Sequence, residues 1–295
     1  MNRPSKRRPL KGSSDNQRFP PKNPGVNPRS VNTSDPTALK PGDIELEMGI
    51  PIPGAIQPKE QWTQTAIKRL PEAPFAWPDL FRREAPIAID IGCGNGRFTI
   101  SSAVRRPDWD HLGIDALPTV IRYATRRGNQ RGLTNVRFAV SDGWKLLDRL
   151  SEDESVDEFH IYHPQPFSSS EDSSRRMLTP QFLGLLHRRL KPNGKVFLQT
   201  DRKPYWLYIT NCFSALFDWE EILEPWPEDP HGRSRREMLS QNQKLTIYRG
   251  IATRRSEISP EDVFKIVEQM PAPEFAVDRA ERRFRPPSNS YRRSK

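Results

Sequence analysis

A glycine-rich turn and three aspartates are the residues of this chain best placed to handle a small molecule. The run Asp90-Ile91-Gly92-Cys93-Gly94-Asn95-Gly96 closes the apolar segment Ile87 to Ile91 and opens a helical one, Asn95 to Val104. Ligands of parallel α/β sheets bind beyond the carboxyl ends of the strands, and glycines there let the backbone approach the ligand. The spacing is G-x-G-x-G. The third glycine of a dinucleotide fingerprint falls on Arg97, which argues against a nicotinamide cofactor. Asp115 ends the next strand-like segment, where a carboxylate can accept both ribose hydroxyls of a nucleoside. Asp142 ends the one after, placed to receive an adenine amino group. Either aspartate alone reads equally well as a helix cap. The turn and both acids in register suit S-adenosyl-L-methionine.

These residues need a frame, and the flanking sequence supplies one. Strand-like segments at Ile87–Ile91, His111–Asp115, Val136–Val140, Val156–Tyr162 and Lys195–Gln199 alternate with helical ones. The helices are predicted over Asn95–Val104, Pro118–Gly128, Pro180–Leu190 and Pro204–Phe217. That alternation predicts an α/β, doubly wound, mostly parallel sheet. Two further strands, Trp219–Leu223 and Leu245–Ala252, are read with no helix between them and predict an antiparallel edge. Ser259-Pro260-Glu261-Asp262 is a helix start, followed by Val263, Ile266, Val267 and Met270 at helical spacing. That last helix is predicted to pack on the body.

Composition sets the limits of this body. The 295 residues carry a net charge of +10, with 30 prolines and only 34% hydrophobic residues. The charge is uneven: residues 1–43 and 279–295 each hold +6, and the remainder holds −2. Basic tails add a salt-sensitive attraction to phosphate backbones. Residues 1–60 read as a disordered, basic, Pro-rich tail, dispensable for the fold as far as residue 43. Residues 61–255 read as one domain, and 256–295 as a C-terminal helix and basic tail. No run approaches the roughly 20 apolar residues of a membrane span, and no apolar stretch follows the basic start as in a signal peptide. A cytoplasmic protein with Cys93 and Cys212 as free thiols, without a metal site, is expected. A monomer is favoured.

Several longer stretches carry a family resemblance. Asp79-Leu80-Phe81, Ala85 to Gly92, Gly132 to Arg137 and Ser141-Asp142 lead in. His163-Pro164-Gln165-Pro166-Phe167, Arg175-Arg176-Met177 and Pro180-Gln181-Phe182-Leu183 are the most specific. Leu190-Lys191-Pro192-Asn193-Gly194, Thr200-Asp201 with Tyr205, and Ser234-Arg235-Arg236-Glu237 complete the set. From about Asp79 to Arg254 the chain resembles the bacterial tRNA (guanine-N7)-methyltransferases. The resemblance implies a Rossmann-like class I methyltransferase fold. It implies methyl transfer from S-adenosyl-L-methionine to N7 of a guanine in the tRNA variable loop. Asp90, Gly92, Gly94, Asp115, Asp142 and Gln165 are implied to hold the cofactor, and Ser169, Asp201, Ser234, Arg235, Arg236 and Glu237 the substrate.

The chain departs from the family in one loop. Gln165 stands where the family has its catalytic Asp, and Ser169 stands for a Lys. The family's basic patch is here Ser168-Ser169-Ser170-Glu171-Asp172-Ser173-Ser174, neutral to acidic. Arg175 and Arg176 read as phosphate binders or as an ordinary solvated pair. Two other readings keep the fold: a methyltransferase with another substrate, and a non-catalytic RNA-binding relative. The retained carboxylates speak against the latter.

Overall fold

The run Ile87-Ala88-Ile89-Asp90-Ile91 is apolar on both faces except for Asp90, and every residue of the strand it forms is buried. That strand is the middle of the fold in a computed structural model, described over residues 30–32, 38–67, 70–167 and 173–275. In chain order the elements are β1 (Ser30–Asn32), β2 (Ile44–Glu47), β3 (Ile50–Pro51), β4 (Ala66–Ile67), α1 (Trp77–Phe81), β5 (Ile87–Ile91) and α2 (Arg97–Arg105). There follow β6 (Asp110–Asp115), α3 (Pro118–Gln130), β7 (Val136–Val140), α4 (Gly143–Arg149), β8 (Val156–Tyr162) and α5 (Pro180–Arg189). The chain continues through β9 (Leu190–Thr200), α6 (Lys203–Leu216), β10 (Phe217–Ile222), α7 (Arg235–Asn242), β11 (Tyr248–Arg254) and α8 (Pro260–Gln269).

Eight strands form one sheet in the order β10-β11-β9-β8-β5-β6-β7-β4. Every neighbour pair from β9 to β4 is parallel. Strand order turns around between β5 and β8, so the carboxyl end of β5 opens on a crevice where such sheets bind ligands. This is a doubly wound, Rossmann-like arrangement with a mostly parallel sheet. The antiparallel pair lies at the expected end of the sheet. β11 sits between β9 and β10 and runs against both. A helix absent from the sequence reading, α7, lies between β10 and β11 in the chain. Its weak apolar pattern hid it, although Ser234 is a good cap and accepts from Glu237 N at 3.1 Å.

Successive residues of a strand face opposite sides, so β7 feeds two apolar clusters. Val136 and Phe138 join Ile100, Ile121 and Ala124 from α2 and α3. Ala139 joins the larger cluster with Leu146, Phe182, Leu186 and Phe213 from α4, α5 and α6. α8 packs on this second side as predicted, through buried Val263 and Val267. Gly184 of α5 makes room, since a Cβ there would lie 3.0 Å from Val267 Cγ2.

The N-terminal boundary is corrected by the structure. Residues 38–60 belong to the body rather than to a disordered tail. Ile52 and Ile56 are buried, and Gln57 N donates to Gln130 O at 2.8 Å. β2 escaped the sequence reading because its alternation is inverted: Glu45 and Glu47 point inward and are buried, Ile44 and Leu46 less so. The glutamates are neutralised there. Arg127 Nη2 lies 2.8 Å from Glu45 Oε1 and Arg131 Nη2 lies 3.0 Å from Oε2. A truncation at residue 43 therefore cuts into the fold: Leu39 is buried, and Asp43 accepts from Lys40 N at 2.9 Å. Residues 1–29, with most of the N-terminal charge, lie outside the described residues, as do 276–295.

Removing one partner of a buried ion pair leaves the other charge uncompensated, which costs about 3–5 kcal/mol. Glu45→Ala strands the buried Arg131 guanidinium and leaves Arg127 only its longer contact to Glu47. Urea unfolding is expected to show a loss of about that size, and a loss below 1 kcal/mol would mean that the segment is not anchored through this pair.

Candidate active site

The glycine turn follows β5 directly. Gly92 N and Cys93 N both donate to Ile114 O, at 2.8 and 2.9 Å, which ties the turn to β6. Gly92 and Gly94 have φ of +81° and +53°, and a Cβ on either would meet no atom within 4 Å. Among the described residues nothing fills that space, so the turn is a cradle open on one side. Asp115 shapes it from the next strand. Its Oδ2 accepts from Gly94 N at 3.1 Å and its Oδ1 from Leu117 N at 2.9 Å. Asp142 caps α4, accepting from Lys145 N at 2.9 Å, and Lys145 Nζ lies 3.4 Å from its second oxygen.

Asp90 lies at the floor. It is buried and accepts a hydrogen bond from Thr99 Oγ1 at 2.6 Å. Burial pushes its pKa up to about 7; the Thr99 bond and the Arg233 charge work against that shift, and nearby Asp115 adds to it. A cavity of about 290 Å³ opens above. Its lining includes Asp90, Gly92, Gly94, Ser234, Arg235 and Arg236, so the structure brings the turn and the Ser234 motif to one site. The volume is at the small end of the roughly 300–1,000 Å³ usual for ligand pockets.

Arg233 lines the same cavity and is paired with Glu228. The Arg233 guanidinium lies 4.0 Å from the Trp226 ring centre and 5.2 Å from that of Phe98, and it donates to the Tyr162 hydroxyl. Glu237, named as a substrate residue, is fully buried and occupied within the protein. It accepts from Arg233 N at 2.7 Å and from Arg249 Nη2 at 2.8 Å. It therefore braces the loop that carries Arg233.

A chain of hydrogen bonds sets Asp201. Trp226 Nε1 donates to Gln199 Oε1 at 2.6 Å, which turns the Gln199 amide nitrogen toward His163 Nε2, 2.9 Å away. His163 Nε2 thus accepts, and Nδ1–H faces Asp201 Oδ1 at 3.4 Å. Ser240 Oγ donates to Asp201 Oδ2 at 3.0 Å, and Arg236 Nη2 bonds the same oxygen. Burial opposes the Asp201 charge, but His163, Arg236 and Ser240 together hold its carboxyl well below the usual carboxylate range. Asp201 sits behind Arg236 and orients it.

Other expected residues lie elsewhere. Gln165 is exposed, does not line the cavity and makes no hydrogen bond to the described residues. Ser169 lies outside the described residues. Arg176 is corrected from a candidate phosphate binder to a structural clamp. It is buried and donates to Pro166 O and Phe167 O, both at 2.7 Å, and to Phe275 O at 3.2 Å. The sequence reading missed Arg233, His163 and Glu47. Arg233 is adjacent to the Ser234 motif and His163 opens the motif that holds Gln165, which were the available signals; Glu47, bonded to Asn95 of the glycine turn, is joined to the site only by tertiary packing.

Asp90 gives a pH test. Its folded pKa is raised above the unfolded value, so its contribution to stability is full below about pH 4 and is lost as pH rises through about 7. The Asp90→Asn variant lacks this loss. Guanidinium unfolding is expected to find the two proteins similar near pH 4 and the variant more stable by a few kcal/mol at pH 8. A difference independent of pH would show that Asp90 is not desolvated.

The site's geometry can be set beside known proteins. A family model described as a putative methyltransferase matches residues 84–250. The tRNA (guanine-N(7)-)-methyltransferase of Nitrosococcus oceani is 30% identical over 164 residues, covering 56% of this chain and 70% of that protein. The one of Streptococcus pneumoniae strain CGSP14 is 30% identical over 161 residues, covering 55% and 76%. The one of Thermus thermophilus is 35% identical over 156 residues, covering 52% of this chain and 50% of that protein. Among solved structures, a 16S rRNA methyltransferase superposes with a TM-score of 0.47 at 16% identity, over 65% of this chain and 98% of that one. With more than half of its length matched by the family model, and with relatives of which it covers over two thirds, the chain belongs to the tRNA (guanine-N7)-methyltransferase family of putative methyltransferases.

Proposed function

We propose that this chain transfers a methyl group from S-adenosyl-L-methionine to N7 of a guanine in the tRNA variable loop. The observation that carries the reading is the open cradle at the end of β5. Gly92 and Gly94 face empty space, the buried carboxylate of Asp90 lies below, and Asp115 holds the turn from the side. When bound there, the cofactor supplies an electrophilic methyl group on a sulfonium. Asp90 accepts from its ammonium, whose positive charge favours the ionised carboxylate. Asp115 accepts from the ribose hydroxyls with the lone pairs its two backbone bonds leave free. Asp142 faces the adenine amino group. Leu117, Val140 and Trp144 are exposed apolar side chains at the ends of β6 and β7, suited to cover an adenine ring.

Guanine N7 carries a lone pair and no proton. In-line displacement at the methyl group therefore needs no general base at that atom, and catalysis rests on positioning. Gln165, although it does not line the cavity, would offer a neutral amide oxygen to the guanine N1 and N2 protons from a loop clamped by Arg176. Ser234, Arg235 and Arg236 form the cationic rim over the guanine, with Asp201 orienting Arg236 and Glu237 bracing the loop. Ser169 takes part from outside the described residues. The tails, at +6 each, draw in the tRNA backbone. Among the described residues, no helix is long and apolar enough to cross a membrane and no cluster of three metal-ligating side chains occurs. Action on tRNA supports a cytoplasmic location.

Two variants test this. Asp115→Ala is expected to weaken cofactor binding by about 1.5–3 kcal/mol in calorimetry, the range for a hydrogen bond to a charged group. Unchanged affinity contradicts the ribose assignment. Gln165→Asp restores an ionised acceptor and is expected to speed tRNA methylation about 5- to 30-fold, the worth of roughly 1–2 kcal/mol in the transition state. A slower Asp variant points to a pocket rebuilt around the amide for another acceptor, which the neutral-to-acidic loop Ser168–Ser174 would suit.

A further inference from the structure

Glu47 lies outside the stretch that resembles the family, yet it touches both halves of the site. Its side chain is buried on β2. Oε1 accepts from Asn95 Nδ2 of the glycine turn and lies 3.4 Å from Arg235 Nη1 at the start of α7. Oε2 lies 3.7 Å from Arg97 Nη1 and 3.6 Å from Arg127 Nη1. Arg97 in turn donates to Pro51 O at 3.2 Å and Gly232 O at 3.1 Å, so its position is fixed from two sides. Arg235 differs: its side chain is 60% exposed at the rim of the cavity, free to turn toward an anion in solvent.

One carboxylate oxygen therefore serves a group that shapes the cofactor cradle and a group that faces the substrate side. We propose that Glu47 is a positioning residue that couples cofactor binding to tRNA binding, an inference that rests on the function proposed above. A tRNA phosphate that draws Arg235 outward leaves Oε1 to Asn95 alone. The bond to Asn95 strengthens, because a shared acceptor divides its charge between its donors, and the glycine turn is held more firmly. Each ligand then favours the state the other binds. The effect is reciprocal: tRNA raises cofactor affinity by the same factor as cofactor raises tRNA affinity.

The test is calorimetric titration of full-length protein with S-adenosylhomocysteine, which cannot donate a methyl group, with and without saturating tRNA. For the wild type, tRNA is expected to tighten binding about fivefold or more. Glu47→Gln, which keeps the shape and removes the charge, is expected to bring that factor to about one, whatever it does to either affinity alone. Arg235→Ala is expected to abolish the factor from the other end, and its exposed position keeps the test valid if Glu47→Gln fails to fold. A packing role for Glu47 would lower stability or affinity but leave the factor unchanged. A wild-type factor of one, or a wild-type factor retained in a folded variant, overturns the coupling. Absence of any S-adenosylhomocysteine binding by the wild type overturns the proposed function instead.

Discussion

The ring of Phe138 occupies the space that side chains would need at three glycines, and the site depends on that packing. A Cβ on Gly113 would lie 2.7 Å from the ring, one on Gly96 3.1 Å and one on Gly128 3.3 Å. The ring thereby draws β6, the start of α2 and the end of α3 onto β7. Gly96, at φ +77°, must also turn the backbone out of β5 into α2 beneath Ala124. Close packing at this point sets the height of the Gly92–Gly94 backbone above the sheet. A larger residue at Gly113 would lift β6, and with it the Asp115 carboxylate that holds Gly94 N.

On this frame the charges are arranged in opposed layers. Asp90 is a desolvated acid at the floor, which the positive charge of the proposed cofactor would ionise. The rim is made of arginines, each restrained by a buried carboxylate: Arg236 by Asp201, Arg233 through the loop that Glu237 braces, and Arg235 by Glu47. Pairing leaves these guanidinium groups oriented rather than free to collapse onto the acids of the floor. The same device anchors the N-terminal segment, where Glu45 and Glu47 meet Arg127, Arg131 and Arg97. Ion pairs of this kind add little net stability over apolar packing but fix geometry, which is what a positioning mechanism requires.

The sheet was legible because its parallel strands are short apolar runs punctuated by Pro and Gly. β5, β7 and β8 fall where the apolar runs place them, and the turn with Asp90 and Asp115 followed from strand ends alone. β2 was not legible. A strand that buries glutamates has the alternation of a solvated strand turned inside out, and only the distant Arg127 and Arg131 reveal which face is inward. Arg176 misled for the converse reason: a charged side chain in a polar stretch looks solvated until the carbonyl groups that bury it are known. Asp142 is the cap of α4 in the structure, a role that the end of a strand shares with the start of the next helix, and its adenine contact belongs to the proposal. Glu237 was found by its motif, but its partner Arg249 lies on β11 and no local spacing connects them.

The most direct test of the account is to incubate the full-length protein with bulk tRNA and methyl-labelled S-adenosylmethionine, digest the tRNA to nucleosides and locate the label by mass spectrometry. Label is expected in 7-methylguanosine, reduced when Asp115 is replaced by Ala. Label in any other nucleoside, or cofactor binding with no transfer to tRNA, would contradict it.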